Sequence, residues 1–66
     1  MKATVNGEER ELRTGTTVAW LLEELQLGRN GIAVAVNQRV VRTAQLDERR
    51  IEEGDVVEII RAVAGG

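Results

Sequence analysis

Three observations predict an α+β domain built on a mixed sheet. The first residues alternate apolar and polar and run into Asn6-Gly7, one apolar stripe at helical spacing begins at Val18, and β-branched pairs fill the second half. A hairpin followed by a helix laid across a sheet is an α+β layer arrangement.

Met1, Ala3 and Val5 alternate with Lys2 and Thr4, the period of two of a strand with one buried face. Asn6-Gly7 then predicts a type I′ hairpin, because both residues tolerate positive φ. The return strand is expected over about 9–13, with Leu12 inward and the rest unusually charged. Thr14 to Thr17 reads as a turn into a helix capped by Thr17. Trp20 stands where a capping box needs Glu or Gln.

Val18, Leu21, Leu22 and Leu25 fall at i, i+3, i+4 and i+7, one stripe of a helix expected over about 17–27 with Gly28 as its stop. Ile32 to Val36 is the next strand, with Ala33 and Ala35 making its second face small and flat. Asn37-Gln38 is a turn and Val40-Val41 a short strand. Residues 42–53 are polar except for Leu46 and Ile51, the expected anchors of a long connection. Glu53-Gly54-Asp55 turns the chain into a last strand from Val56 to about Arg61, and Ala62-Val63-Ala64-Gly65-Gly66 follows. Setting the last strand beside the first gives a parallel central pair in a sheet of about four to five strands.

Composition removes most function classes. Sixty-six residues make one domain, 1–66, with a flexible tail expected at about 62–66. Cysteine and histidine are absent, which excludes disulfides, a Cys nucleophile, a Cys/His zinc site and a histidine base. No metal site and no catalytic residue is expected. Nine basic residues against eleven acidic ones, with no basic stripe, argue against nucleic-acid binding. No apolar run approaches the roughly 18 residues that a membrane span needs, and no signal-peptide pattern opens the chain. A cytoplasmic protein, monomeric when free, is the expectation.

One feature carries chemistry. A terminal Gly-Gly is often only a frayed end, but here it follows a strand after three small or branched residues and has no polar tail behind it. At roughly 3.3 Å per residue the segment from Ala62 to Gly66 can reach about 16 Å beyond the sheet. Glycine has no Cβ, so Gly65, with small Ala64 before it, can thread a channel that larger residues would block. The Gly66 carboxylate is sterically bare. A carboxylate is a poor acyl donor until ATP converts it to an acyl-adenylate, from which a sulfur nucleophile can displace AMP and leave a thiocarboxylate. Without cysteine, the C-terminus is the only place where this chain can carry sulfur.

The pieces "VNGEERELRTGTTVAWLLEEL", "GIAVAVNQRVV" and "IEEGDVVEIIRAVAGG" together span nearly the whole chain. In this order and length they resemble the ubiquitin-like β-grasp family, and within it the sulfur carriers of thiamine biosynthesis. The resemblance implies three partners: an E1-like adenylyltransferase that uses ATP, a cysteine-desulfurase-type sulfur donor, and a thiazole synthase that receives the sulfur. It implies no bound cofactor. The acceptor glycine carries over to Gly66 and the threading glycine to Gly65. The chain departs from the family pattern at Arg42, Thr43 and Leu46, where many relatives have Pro, Arg and Trp, and at Trp20, where they often have Glu.

Alternation turns Val57 and Ile59 inward and leaves Val56, Glu58 and Ile60 outward beside Ala33 and Ala35, the expected docking face for partners. Isolated surface aliphatics need no such explanation, but this patch adjoins the tail. Trp20 lies off the helical stripe, and packing along the helix edge is the simpler reading of it. The acidic run Glu52, Glu53, Asp55 and Glu58 is solvated surface unless an Arg-rich partner uses it. Alternative functions are a carrier for molybdopterin or another thiocarboxylate pathway, a ubiquitin-like protein modifier, or a binding module whose tail is dispensable. Lys2, the sole lysine, makes homopolymer chains improbable.

Overall fold

The computed structural model describes residues 1–61. β1 (Lys2–Val5) and β2 (Glu8–Glu11) form the expected opening hairpin, with Val5 opposite Glu8 and Lys2 opposite Glu11. Asn6 at φ 49° and Gly7 at φ 82° supply the two left-handed positions that its two-residue turn requires. β2 is shorter than the expected 9–13. Leu12 is buried just beyond its end, and its N–H donates to the Met1 carbonyl at 2.8 Å. All four residues of β2 are charged and exposed, which suits a sheet edge that must not attract another strand.

The helix α1 (Val18–Glu24) starts where the sequence puts it: Thr17 Oγ1 accepts the Trp20 N–H at 3.1 Å. The other early N–H groups, which a helix cannot satisfy internally, go to the long connection. Val18 N–H donates to the Arg49 carbonyl and Ala19 N–H to the Leu46 carbonyl, both at 2.9 Å. Leu46 and Ile51 therefore anchor a segment whose backbone caps the helix. Both are buried, and the Ile51 N–H donates to Thr16 O at 2.8 Å.

The helix ends earlier than Gly28. Gln26 takes φ 59°, and its N–H donates to the Glu23 carbonyl while the Leu27 N–H reaches back to the Leu22 carbonyl. This 5→2 and 6→1 pair is a Schellman motif with glutamine in the place usually held by glycine. The expected span of 17–27 overran because a left-handed glutamine has no signature in the sequence. What selects it is Leu27, which packs against the core from beyond the helix end.

β3 (Ile32–Val36) and β4 (Arg39–Val41) are joined by Asn37 and Gln38, both at positive φ, and a single 3-10 turn (Thr43–Gln45) opens the long connection. β5 (Val56–Arg61) follows Gly54 at φ 84°. The five strands are ordered β2-β1-β5-β3-β4, so the mixed sheet is as expected. β5 runs parallel to β1 and antiparallel to β3. Ala3, Val5, Val34, Val36 and Val57 point from the sheet toward Val18, Ala19, Leu21 and Leu22 of α1, and Leu12, Leu46 and Ile51 close the core. Leu25, expected on the stripe, is only partly buried. No helix among the described residues is long and apolar enough to cross a membrane.

A non-glycine residue held in the left-handed region costs about 1–2 kcal/mol, and glycine gives back about 0.5–1 kcal/mol of that through its looser unfolded state. Gln26→Gly should therefore stabilise the fold by about 0.5–1 kcal/mol, seen as a higher urea midpoint at unchanged slope. A midpoint at or below that of the parent chain would show that the Gln26 conformation carries no strain.

Candidate functional site

The register fixes what the outer face of the sheet displays. Paired residues of antiparallel strands share a face. Ala33 pairs with Ile60 and Ala35 with Glu58 across β3 and β5, and Ala35 pairs with Val40 across β3 and β4. Val56 stands beside Thr4 of β1 on the same face. The expected docking residues Ala33, Ala35, Val56, Glu58 and Ile60 are thus brought together on one surface. Ile60 is 60% exposed, Val56 44% and Val40 75%.

The two alanines form a shallow floor between Val40 on the edge strand and Ile60 on the central one. Neighbouring strands lie about 4.8 Å apart, so the row from Val40 through Ala35 to Glu58 spans about 10 Å. Glu58 puts one carboxylate among these apolar groups and makes no salt bridge among the described residues.

Val40 belongs to this surface and was not among the expected docking residues. Its assignment needs the register of the Asn37-Gln38 turn, which sets Val36 against Arg39 and hence Ala35 against Val40. A two-residue turn at that dipeptide, read as strictly as the first hairpin was, would have given it.

The inner half of β5 is as expected at Val57, which is fully buried, and less so at Ile59, which is half-buried at the end of the core. Arg61 is the last described residue, and the expected site residues Ala64, Gly65 and Gly66 lie outside the described residues. The strand that leads to them is held firmly. The Val56 N–H donates to Asn37 Oδ1 at 2.9 Å, Asn37 N–H donates to the Val56 carbonyl at 2.7 Å, and the Ile59 N–H donates to Asn6 Oδ1 at 2.8 Å. Asn37 Nδ2 also donates to Asp55 Oδ1, and Asp55 Oδ2 accepts the Glu52 N–H, so the turn before β5 is tied at both ends.

Two exposed polar pairs tie separate segments together. Arg29 grips both carboxylate oxygens of Asp47, at 3.0 and 2.6 Å, and joins the loop after α1 to the long connection. Hydrogen bonding within this pair holds the Asp47 carboxyl below its usual range and pushes the Arg29 guanidinium up. A hydrogen bond from the Met1 amino group holds the Glu11 carboxyl down in the same way. These are shifts away from the raised carboxyl that a general acid needs. No cluster of three or more metal-ligating side chains occurs among the described residues. Trp20 is 52% exposed rather than packed along the helix edge, and it lies on the helix side of the sheet, away from the outer face.

The chain is similar to proteins of known family in sequence and in fold. The family model described as the ThiS family matches residues 3–66. The sulfur carrier protein ThiS of Thermus thermophilus is 36% identical over 62 residues, which cover 94% of this chain and 95% of that protein. A thiazole synthase of Paramagnetospirillum magneticum is 35% identical over 66 residues, all of this chain but 20% of that polypeptide. Among solved structures, the crystal structure of the thiamine biosynthesis protein ThiS from Geobacter metallireducens superposes with a TM-score of 0.85 at 28% identity, each chain covered in full.

If the outer row is exposed for binding and not for stability, blunting it should leave folding untouched. The double change Val40→Thr with Ile60→Thr keeps β-branching and should alter the unfolding free energy by no more than about 0.5 kcal/mol. A loss above about 2 kcal/mol in urea titration would mean that the row is part of the core.

Proposed function

This chain belongs to the ThiS family and is a sulfur carrier of thiamine biosynthesis, and from that premise we propose that it carries its sulfur as a thiocarboxylate on Gly66. The observation that supports this most is the reach of the family match through residue 66, which takes in the Gly65-Gly66 end together with the folded body.

In the proposed cycle an E1-like enzyme binds the domain and ATP. The Gly66 carboxylate attacks the α-phosphorus, pyrophosphate leaves, and an acyl-adenylate forms. The terminal sulfur of a persulfide on a cysteine-desulfurase-type donor attacks the acyl carbon, and the bond to AMP breaks as a proton is lost. A second thiol then cleaves the resulting acyl disulfide, which releases the thiocarboxylate and leaves a disulfide on the donor side. This is nucleophilic acyl substitution on an activated carboxyl, and it needs no acid, base or metal from the carrier. The charged carrier then docks on thiazole synthase, to which it gives its sulfur. Likeness to one fifth of a thiazole synthase polypeptide supports that recipient, since there a domain of this kind shares a chain with the synthase.

The folded body contributes position. β5 is flanked by β1 and β3 at the middle of the sheet, and the sequence passes from Arg61 to Gly66 in five residues. Val56 and Ile60 of that strand, with Ala33, Ala35 and Val40 beside it, offer the adenylating enzyme and the synthase a common apolar contact, with Glu58 as the charged reference point among them. Gly65 and Ala64 are proposed to thread the partner's channel, where the absence of large side chains keeps the path narrow.

Incubation with ATP, an E1-like adenylyltransferase and a sulfur donor should raise the intact mass by about 16 Da, one oxygen exchanged for sulfur, and fragmentation should map the gain to Gly66. Omitting ATP should abolish it. An unchanged mass with an active adenylyltransferase, or a gain mapped to any other residue, would refute the thiocarboxylate reading.

A further inference from the structure

β5 is covered unequally on its two edges. β3 pairs with it from Val57 through Arg61, whereas β1 pairs only with Val56 and Val57. The cause is the first hairpin. β1 ends at Val5, and Asn6 at φ 49° turns the main chain away from the sheet. The Asn6 N–H makes the last main-chain contact on that side, donating to the Val57 carbonyl at 2.9 Å. At the next N–H, that of Ile59, a side chain replaces the missing strand: Asn6 Oδ1 accepts it at 2.8 Å.

Beyond that point the edge is open. Odd-numbered residues of β5 turn their N–H and C=O toward the β1 side, as the bonds of Val57 and Ile59 establish, while Val56 and its even-numbered successors turn toward β3. The Ile59 carbonyl and the Arg61 N–H therefore face the open side, and neither has a backbone or side-chain partner there among the described residues. The two outer edges of the sheet are protected in familiar ways: β2 is wholly charged, and β4 has only three residues. Among the described residues, the open half of β5 has no protection past the single Asn6 contact.

We propose that Ile59 and Arg61 form a strand-addition site, at which the adenylating enzyme lays an extended segment of its own alongside β5. This rests on the carrier reading above and specifies how the partner holds the domain. The occupant follows from position. Arg61 is five residues from Gly66, and an enzyme that takes the Gly66 carboxylate into its active site must run alongside the chain just before it. A segment added there satisfies the idle carbonyl and N–H by main-chain pairing, which is the affinity term of β-strand addition. Its side chains on the outer face fall beside Ile60, so that the edge contact and the apolar row are covered together. Asn6 sets the boundary between the two halves: it closes the ladder at Ile59 and leaves the next position to the partner.

The test uses the full 66-residue chain, made by chemical synthesis with the backbone nitrogen of Arg61 methylated. This removes the donor and puts a methyl group on the open edge, while the Ile60 carbonyl remains available to β3. Arg61→Ala, which keeps the N–H and removes the guanidinium, is the control. Affinity for the adenylating enzyme is measured by calorimetry, the thermal midpoint checks folding, and loading of Gly66 is read by mass. The methylated chain should bind about tenfold or more weakly at an unchanged midpoint, and Arg61→Ala should bind within about threefold of the parent. Equal affinity of the methylated and parent chains, with Gly66 loaded normally in the parent, would overturn the strand-addition site and leave the carrier reading standing. A parent chain that is neither bound nor loaded would overturn both.

Discussion

The structure depends on one placement: the last strand of the chain occupies the middle of the sheet. β5 is laid between β1, from the first residues, and β3, from the centre of the sequence. A strand flanked on both sides is the best-fixed part of a sheet, and its backbone pairs with partners more than 50 positions away on one side. The segment that follows β5 in the sequence is therefore joined to a strand set within the sheet, paired with β3 as far as Arg61 and with β1 at its first two residues. If the working group is at residue 66, as proposed, that is the useful property of the fold. The precision of the anchor is set by core packing, while the reach beyond it is set by chain length alone.

The same placement explains two asparagines that would otherwise look like ordinary turn residues. Asn6 and Asn37 each occupy the first position of a two-residue hairpin turn, and each also accepts a backbone N–H of β5, from Ile59 and Val56 respectively. Asparagine is suited to both tasks, since it tolerates positive φ and carries an acceptor on a short side chain. The two hairpins are thus keyed to the central strand by side chains as well as by the ladder. Aspartate at either position would keep the acceptor but add a charge, beside the Asp55 carboxylate in the case of Asn37.

Much of this was legible in the sequence. The alternation of Met1 to Val5 with Asn6-Gly7, the cap at Thr17 and the flat face of Ala33 and Ala35 each rest on local chemistry, and each appears where that chemistry puts it. The parallel pairing of β5 with β1 followed from the order of elements. What was not legible depends on contacts between distant segments. Gln26 enters the left-handed region because Leu27 is wanted in the core, and the long connection caps α1 through the carbonyls of Leu46 and Arg49, which have no side-chain signature. Val40 joins the outer face only through the register of a neighbouring turn. The Asn6 contact to Ile59 spans 53 positions and could not be read from either residue alone. For the candidate site, most of the surface beside β5 was legible as a face of alternating residues, and the register of the strands shows how that surface is assembled; Gly66 lies outside the described residues.

On the proposed reading, the body serves as a handle for the group at residue 66. The measurement closest to it is sulfur delivery to thiazole synthase by a chain ending at Ala64, in a system of purified components with the full chain run in parallel. Equal thermal midpoints and loss of all delivery are the predicted result, since the handle would be intact and its load missing. Sulfur delivered by the shortened chain at a rate near that of the full one would contradict the account at its root.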